Sequence, residues 1–506
     1  MPERATKRER WLAFLAALAG VLAYLNALTN PFVYDDLARF DRPLGPLRTV
    51  ISPRPLTELS HFVDRLAFGI HPLGHHAVNL LLHALSVVLC FRLAYTLPQR
   101  YDADRRARIA FVAALLFAIH PLETEAVGYL SARSDLLCCA LSLGATLVWL
   151  RWRTDGGVGR ALGVVALYVL ALSAKETAAA LPFVWLAGEL ALRDPDPRAT
   201  RARVLGFHAP LVAITLLLGG ARLFINRHIE HGQLPTLPHL LRQCAVVWRT
   251  LALVILPRGQ TIFHGVPTNL SPASPIGWLS LAGLLALVAL AVAVARRRPE
   301  ITFSLVWLLA FLVPGAVLPL RDALAEHRAY LASVGALILA SLALAQLPPR
   351  AATALTLLLT AALGLATLQR NRVWASPPSL WREAVRAAPR AWGPRYALGD
   401  ALRREGDCQE AVLAYAEAER LLPRAPQAYV NRALCLVELG DLDGAQAELN
   451  TARTIAPADP AIYNDLGMVA LTRGHTDEAR AHFEEALSHD PNHALARANL
   501  ARLRVR

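Results

Sequence analysis

Cysteine is scarce in this chain of 506 residues, which contains six copies at irregular spacing. Six scattered cysteines do not make a disulfide framework. The adjacent pair Cys138-Cys139 lies within an apolar segment, where a bond between neighbours would be strained. We therefore predict that all six cysteines are packing residues.

Charged residues are also few, at 18% of the chain, whereas hydrophobic residues make up 55% and the mean hydropathy is +0.36. This composition excludes an ordinary soluble protein of several domains and is typical of a helical membrane protein with many spans. The formal charge is +13, but the arginines gather in short runs between apolar segments, as at Arg296-Arg297-Arg298. Because this is the positive-inside pattern, we predict a lipid bilayer and no nucleic acid as the partner.

The first apolar run, residues 11–28, follows several basic residues and has no convincing small-residue cleavage site. We interpret it as an uncleaved first span with its N-terminus in the cytoplasm. A span needs roughly 20 apolar residues to cross about 30 Å of hydrocarbon. Eleven segments approach that length, some of them short: 11–28, 76–97, 108–120, 134–151, 160–173, 177–192, 205–225, 276–295, 301–320, 329–346 and 350–369.

One further apolar stretch, residues 240–256, is interrupted by Arg242 and Arg249. Counting it as a span would place Arg296 to Arg298 on the outer side. We therefore interpret it as an interfacial or re-entrant helix, which gives about eleven spans and a C-terminal domain on the outer side.

Four predicted outer loops concentrate acidic and basic side chains at one membrane face. Two adjacent carboxylates at a membrane boundary are costly to bury, so they should face water, a cation or a site. The residues of interest in these loops are Asp35, Asp36, His120, Glu123, Glu125, Arg133, Lys175, Glu176, His327 and Arg328. A packed bundle has no structural need for so many charges there.

Residues 377–506 repeat with a fixed period. Prolines at 389, 423, 457 and 491 are each 34 residues apart, and so are the glycines at 406, 440 and 474 and two columns of alanines. Thirty-four residues is the tetratricopeptide period, in which small alanines let paired helices approach and glycines permit the turn between them. The stacked pairs should form a solenoid with a concave surface suited to an extended peptide.

The predicted fold class is therefore all-α: a polytopic helical membrane bundle followed by an α-solenoid of tetratricopeptide repeats. We place the membrane domain at residues 1–370, a hinge at 371–379 and the repeats at 380–506.

Five motifs occur in order in the membrane half: NPFVYDD, RPLTELSHFVDRLAFGIHPLGHHAVNLLLHAL, FAIHPLETEAVGYLSARSDLL, LSAKETAAALP and EHRAYLASVG. Together they resemble the transmembrane and tetratricopeptide-repeat O-mannosyltransferases and their bacterial relatives, in the GT-C class of glycosyltransferases. The resemblance covers about residues 11–345, and the repeats agree with it in domain order. Between residues 226 and 275 the match weakens.

The resemblance implies a polytopic enzyme that takes a sugar from a polyprenyl-phosphate carrier and places it on an acceptor at the luminal or periplasmic face. The acidic pair of the family's first outer loop maps onto Asp35 and Asp36. A basic chain rich in Arg, Ala and Leu resembles one from a high-GC bacterium. We therefore expect a bacterial inner membrane with the repeats in the periplasm.

Inverting transfer requires a base that deprotonates the attacking hydroxyl as the phosphate leaves. Either Asp35 or Asp36 could serve. We favour Asp36, with Asp35 orienting it or binding a metal, and the plain alternative is a pair of solvated acids after a helix.

The leaving phosphate requires cations, for which the outer loops offer Arg328, His327, Lys175 and Arg133. Arg328 is the preferred clamp, although it could instead be an arginine snorkelling at a span end. Lys175 and Glu176 could form a salt bridge that fixes two short helices.

The spacing of His120, Glu123 and Glu125 suggests three interpretations: a divalent metal site, a sugar or acceptor site to which Glu176 also contributes, or a plain helix start. A metal site would need a fourth ligand that the motif does not supply. No cofactor is therefore predicted beyond a divalent metal ion as one alternative.

The sequence leaves three hypotheses for function. The first is a glycosyltransferase using a polyprenyl-phosphate sugar donor and a protein Ser/Thr acceptor presented by the repeats. The second is a non-catalytic membrane scaffold whose repeats recruit envelope proteins, and the third is a transporter of lipid-linked sugar. An outer-face acidic pair favours the first, because a scaffold has no use for it and a transporter should place its charges near the midplane.

Overall fold

The structure, a computed structural model, describes residues 6–41, 52–192, 196–228, 235–266, 273–317, 320 and 322–505. Within these ranges the chain forms helices and no strands. It divides into two compact units. Residues 1–262 and 266–375 form the first, here called the membrane unit, and residues 263–265 and 376–506 form the second, the repeat unit.

The α-helices of the membrane unit are α1 (Lys7–Tyr24), α2 (Asp35–Asp41), α3 (Pro55–Phe68), α4 (Pro72–Thr96), α5 (Ala103–Ile119), α6 (Thr124–Gly128), α7 (Arg133–Asp155), α8 (Val158–Ala174), α9 (Leu181–Leu192), α10 (Pro197–Arg203), α11 (Ala209–His228), α12 (Leu237–Ile255), α13 (Pro275–Val294), α14 (Pro299–Ala310), α15 (Val313–Val317), α16 (Tyr330–Leu344) and α17 (Pro349–Val373). Short 3₁₀ turns join several of them, and a π-helical segment, Val204–His208, precedes α11.

Within the described ranges, eight helical segments are long and apolar enough to cross a membrane, or nine if the bent pair Ala103–Ile119 and Pro121–Gly128 is one span. The predicted all-helical membrane bundle is thus confirmed. Two of the eleven predicted spans are shorter than a bilayer requires, because residues 160–173 lie in the 17-residue helix α8 and residues 181–192 form the 12-residue helix α9. Helix α12, predicted to be interfacial or re-entrant, is not among the eight.

Small residues allow the helices of the bundle to approach closely. A Cβ on Gly20 of α1 would lie 3.2 Å from the Cβ of Ala118 on α5. Half of the buried residues of α5 are alanines: Ala107, Ala110, Ala113, Ala114 and Ala118. Small side chains replace bulky packing in membrane bundles because van der Waals contact, rather than water exclusion, holds the helices together. The cysteines behave as predicted, since all six are free and only Cys244 is not buried.

Asparagines tie the end of the last membrane helix to the end of the first. The Asn371 side chain donates to the Ala23 carbonyl at 2.9 Å and to Oδ1 of Asn26 at 2.8 Å. Asn30 donates in turn to the Asn371 carbonyl at 3.2 Å. Helix α17 therefore ends at the end of the bundle where the chain enters the acidic loop, which is called here the site end.

A buried arginine joins three helices near the site end. Arg133, the first residue of α7, is fully buried and its guanidinium lies 2.5 Å from Oδ2 of Asp64 on α3. Its Nε donates to Oδ1 of Asn79 at 2.7 Å, and its Nη2 donates to the His75 carbonyl at 2.9 Å, both on α4. These bonds hold α3 against the starts of α4 and α7.

We expect Arg133→Met to destabilise the folded protein by about 3 kcal/mol, because Asp64 stays buried without its guanidinium partner. The melting temperature of the purified protein in detergent measures this loss. Arg8→Met is the matched control, since its partner Asp104 and Arg8 itself are mostly exposed and such pairs contribute little. Equal melting temperatures for the two variants would contradict the structural role of Arg133.

The repeat unit stacks helices in pairs. Its α-helices are α18 (Pro377–Ala387), α19 (Trp392–Arg404), α20 (Cys408–Leu421), α21 (Pro426–Glu438), α22 (Leu442–Ile455), α23 (Pro460–Thr472), α24 (Thr476–His489) and α25 (Ala494–Val505). The turn glycines at 406, 440 and 474 have φ of +84°, +84° and +85°, a region that side chains disfavour. The alanines at 384, 411, 418, 445, 452, 479 and 486 are fully buried. The predicted repeat architecture is confirmed.

Candidate functional site

The acidic pair follows a residue with a strained backbone. Tyr34 has a φ of 52°, in the left-handed region that residues with side chains adopt at a cost. Helix α2 begins immediately afterwards at Asp35. The two carboxylates have different environments: Asp35 is exposed and lines a cavity, whereas Asp36 is fully buried and does not line it.

Asp36 holds the acidic loop against the turn before α7. Its Oδ1 accepts hydrogen bonds from the backbone N of Ser131 at 2.8 Å and from the Ser131 hydroxyl at 2.6 Å, while the N of Val33 lies 3.4 Å from Oδ2. Burial raises the pKa of Asp36 from 3.8 to about 6, although the bonds from Ser131 oppose this rise. Asp36 is thus placed to position its neighbour.

Asp36 should make stability depend on pH. Between about pH 4 and pH 6 the folded protein retains the Asp36 proton that the unfolded chain has lost, so the free energy of unfolding falls as the pH rises through this window. A pKa rise of this size corresponds to a loss of unfolding free energy on the order of 3 kcal/mol above pH 6. Asp36→Asn, which is neutral and similar in shape, should melt near wild type at pH 4 and higher than wild type at pH 7.5.

Melting temperatures measured in detergent across this range provide the test. Asp104→Asn, on an exposed side chain, should follow the wild-type curve. The raised pKa of Asp36 would be disproved by an Asp36→Asn curve that runs parallel to wild type at every pH.

The cavity at the site end has a volume of about 290 Å³. Several of its walls carry the sequence-predicted residues: Asp35, Glu125, Lys175, Glu176, His327 and Arg328. Residues 243–250 of α12 contribute another wall. The other three predicted outer loops therefore meet the acidic loop at one cavity.

Most of the cations of this cavity are already paired. Lys175 Nζ lies 2.5 Å from Oδ2 of Asp135, and both side chains are buried. Arg39 lies 2.6 Å from Glu58. The predicted salt bridge between Lys175 and Glu176 is therefore replaced by one from Lys175 to Asp135.

Glu176 is bound instead by Arg54. The Arg54 guanidinium donates to both carboxylate oxygens, at 3.0 Å and 2.7 Å. Burial would raise the pKa of Glu176, but Arg54 outweighs it and holds the pKa at about 2. Glu176 is therefore ionised at physiological pH and neutralised by Arg54.

Arg328 is the exception among the arginines and lysines of the cavity. It donates to the Asp322 carbonyl at 2.7 Å, and no carboxylate of the described residues lies within 4 Å of its guanidinium. Asp35 likewise has no cation within 4 Å in the described part of the chain, and lies near the Tyr129 hydroxyl. The cavity thus contains one carboxylate and one guanidinium that are available to a ligand.

A carboxylate network fixes the segment that carries Arg328. Glu125 Oε1 lies 2.6 Å from His327 Nδ1, and Oε2 accepts the backbone N of Glu326 at 3.0 Å. The Glu326 side chain accepts from the Thr261 backbone and from Gln260. These bonds join α6, the start of α16 and the segment after α12.

Besides Asp36, three predicted site residues do not line the cavity. His120 is buried, with Nδ1 accepting from the Leu122 backbone N and Nε2 3.0 Å from the Val254 carbonyl. Glu123 is fully buried within the bundle, and Arg133 is engaged as described above. His120 thus caps a helix start, whereas Glu123 is buried and makes no capping bond with its side chain.

The metal interpretation gains no support from geometry. Nowhere in the described ranges do three or more His, Cys, Asp or Glu side chains converge as a ligand set. A resident metal needs several such ligands from the protein. Within the described ranges, the residues therefore do not fit a metal held by protein ligands alone, and no step below passes through one.

Sequence reasoning missed the aromatic side of the site. The Tyr34 and Tyr129 ring centroids are 6.2 Å apart, and Tyr129 stacks on Trp374 at 5.8 Å with an interplanar angle of 27°. Ser131 was not singled out either. Ser131 lies inside a quoted motif, but its partner Asp36 is 95 positions away in the chain.

The fold and the cavity define a multi-pass membrane protein with a C-terminal tetratricopeptide domain. Tetratricopeptide repeat family models match residues 378–419, 396–460 and 460–493. Among solved structures, the Arabidopsis OM64 TPR domain is 26% identical, covers 22% of this chain and 94% of its own, and has a TM-score of 0.22.

The curated relatives are similar to the membrane part as well. Protein O-mannosyl-transferase TMTC1 of Homo sapiens is 28% identical over 83% of this chain and 56% of its own length. Tmtc3 of Drosophila melanogaster is 26% identical with the same coverages, and Drosophila Tmtc1 is 40% identical over 33% of this chain and 21% of its own. The resemblance is confirmed: the homologues of this chain are transmembrane and tetratricopeptide-repeat O-mannosyltransferases. The chain spans about half the length of the human relative.

Proposed function

We propose that this chain is an integral-membrane glycosyltransferase that moves a monosaccharide, mannose by analogy with the names of its relatives, from a polyprenyl-phosphate carrier to a protein Ser/Thr hydroxyl. One observation carries the proposal. A single cavity contains an exposed carboxylate without a cation, Asp35, and a guanidinium without a carboxylate, Arg328, among the residues described. Acceptor activation needs the first and a departing phosphate needs the second.

Asp35, rather than Asp36, is the general base. It lines the cavity, whereas Asp36 is buried against Ser131 and cannot reach a substrate without breaking those bonds. The Asp35 carboxylate takes the proton of the acceptor hydroxyl while the hydroxyl oxygen attacks the anomeric carbon. The bond from that carbon to the phosphate oxygen breaks, and the electron pair leaves with the phosphate, so the anomeric centre inverts.

Arg328 contacts the departing phosphate, whereas the charge of Lys175 is compensated by Asp135. Glu125, Glu326 and His327 position Arg328 through their hydrogen bonds. A guanidinium fixed in advance stabilises the charge that develops in the transition state without having to reorganise.

The repeats would hold the acceptor polypeptide. Tetratricopeptide solenoids present an extended concave surface. Because α17 ends at the site end, the chain enters the link at residues 371–379 on the same membrane face as Asp35. With the N-terminus in the cytoplasm, that face is the periplasmic side of a bacterial inner membrane.

Transfer by the purified full-length protein in detergent tests the proposal. The donor is a polyprenyl-phosphate mannose labelled in the sugar, and the acceptor is a polypeptide rich in Ser and Thr. We expect label on the polypeptide and free polyprenyl phosphate in equal amounts. Intact donor and unlabelled polypeptide at all protein concentrations would favour the scaffold alternative.

A further inference from the structure

A second and larger cavity, of about 820 Å³, lies in the membrane unit. It is formed by the end of α4, the end of α7 and the residues leading into α14. Six arginines line it: Arg92, Arg100, Arg106, Arg151, Arg153 and Arg297. The glycosyl-transfer proposal makes no use of this cavity.

The second cavity is at the opposite end of the bundle from the acidic loop. Helix α4 has 25 residues, which corresponds to about 37 Å at 1.5 Å per residue. Asn79 near its start belongs to the Arg133 cluster at the site end, whereas Arg92 and Thr96 at its end line the second cavity. This other end is called here the arginine end.

The lining carries an excess of positive charge. Its carboxylates are Glu9, Asp155 and Glu300, against six arginines. Arg92 lies 3.7 Å from Glu9, and Arg153 lies 3.2 Å from Glu189 behind the wall. The other four lining arginines have no such carboxylate partner among the residues described.

Four of the lining arginines have no carboxylate within 4 Å among the residues described: Arg100, Arg106, Arg151 and Arg297. Arg106 donates to the Tyr95 carbonyl, at 3.1 Å, and lies over the Tyr95 ring. Like charges gathered around one cavity repel each other unless an anion joins them.

Topology alone does not explain this arrangement. The positive-inside rule places arginines in loops and near the ends of spans, but it does not require Arg92, Arg106 and Arg151, on three different helices, to converge on a shared cavity. The other walls are apolar, with Leu97, Leu147, Leu150 and Leu192. A ligand for this cavity should therefore combine several negative charges with hydrocarbon.

We propose that the cavity at the arginine end binds the headgroup of an anionic phospholipid that carries two phosphates, with the phosphates on Arg100, Arg151 and Arg297 and the start of an acyl chain along the leucines. Basic pockets between membrane helices bind such headgroups. The binding site is separate from the transfer site and does not rest on the transfer proposal.

Native mass spectrometry of the full chain in detergent, titrated with cardiolipin as the probe, tests the proposal. The wild type should bind one cardiolipin at least tenfold more tightly than phosphatidylcholine. The double variant Arg151→Gln/Arg297→Gln should lose cardiolipin affinity about thirtyfold, roughly fivefold for each charge removed. Arg108→Gln/Arg296→Gln is the matched control, because both residues are exposed and absent from the cavity wall.

Equal cardiolipin affinity in the two double variants would overturn the site, and so would a wild type that binds phosphatidylcholine as tightly as cardiolipin. The comparison of the two lipids uses the wild type alone, so it holds even if a variant fails to fold. Inorganic pyrophosphate distinguishes a soluble ligand from a lipid. Displacement of cardiolipin by micromolar pyrophosphate would overturn the lipid assignment, whereas retention at millimolar pyrophosphate supports it.

Discussion

Asp35→Asn should lower the turnover number for sugar transfer by about 10² to 10⁴-fold, the usual contribution of a general base. Asparagine keeps the shape of the side chain and cannot accept the acceptor proton. Asp35 is exposed on the cavity wall, so the substitution should not disturb the buried bonds that its neighbour makes. Donor binding should be preserved, because the substitution removes the proton acceptor and leaves the phosphate ligand Arg328 unchanged.

The matched comparison is Asp36→Asn. It should cost about tenfold in turnover, much less than a lost base, because the amide oxygen of the substituted side chain can still accept from Ser131. Asp102→Asn, at the N-cap of α5, should transfer sugar at the wild-type rate. A result in which Asp36→Asn is inactive and Asp35→Asn retains its rate would make Asp36 the base.

The choice between these two carboxylates could not be made from the sequence. Both are adjacent acids in the same motif, and the residue that distinguishes them, Ser131, is 95 positions away. A backbone N–H and a hydroxyl from one residue converge on Asp36 only after α4 and α5 have brought the chain back. The sequence therefore identified the pair, and the fold separates its members by burial.

The salt-bridge partners of the charged residues could not be predicted from the sequence either, because they are also distant in the chain. Adjacent opposite charges, such as Lys175 and Glu176, suggested a local salt bridge. In the structure the backbone is extended at Lys175, with φ of −159°, and the two side chains pair with Asp135 and Arg54 from other helices. Arg133 was proposed as a phosphate ligand because it is a cation of a predicted outer loop, but its nitrogens are bound by α3 and α4.

The fold was more predictable because its signals are local and repeated. Four columns at a 34-residue period determine the helix pairs of the repeat unit, down to the turn glycines. Long apolar runs determine most spans. The short spans were less certain because hydropathy alone does not show where a helix ends: α8 gives way at Lys175 to an extended residue and a 3₁₀ turn before α9 begins.

The second large effect is expected at Arg328. Arg328→Gln should lower the turnover number about 10² to 10³-fold, the range for removing one fixed donor from a developing negative charge. Because the phosphate becomes more negative as the glycosidic bond breaks, the loss should appear mainly in turnover and less in the Michaelis constant for the donor. Arg328→Lys should recover part of the rate, since lysine keeps the charge but lacks the fork that binds two phosphate oxygens.

Arg258→Gln is the control for Arg328, because Arg258 is exposed and does not line the cavity. Initial rates at saturating and limiting donor separate the two kinetic constants. A Gln variant that weakens only the Michaelis constant would mean that Arg328 binds the phosphate equally in the ground state and in the transition state. A Gln variant with wild-type constants would remove Arg328 from the mechanism, and the charge on the departing phosphate would then have to be met by Lys175, whose ammonium is already bound to Asp135.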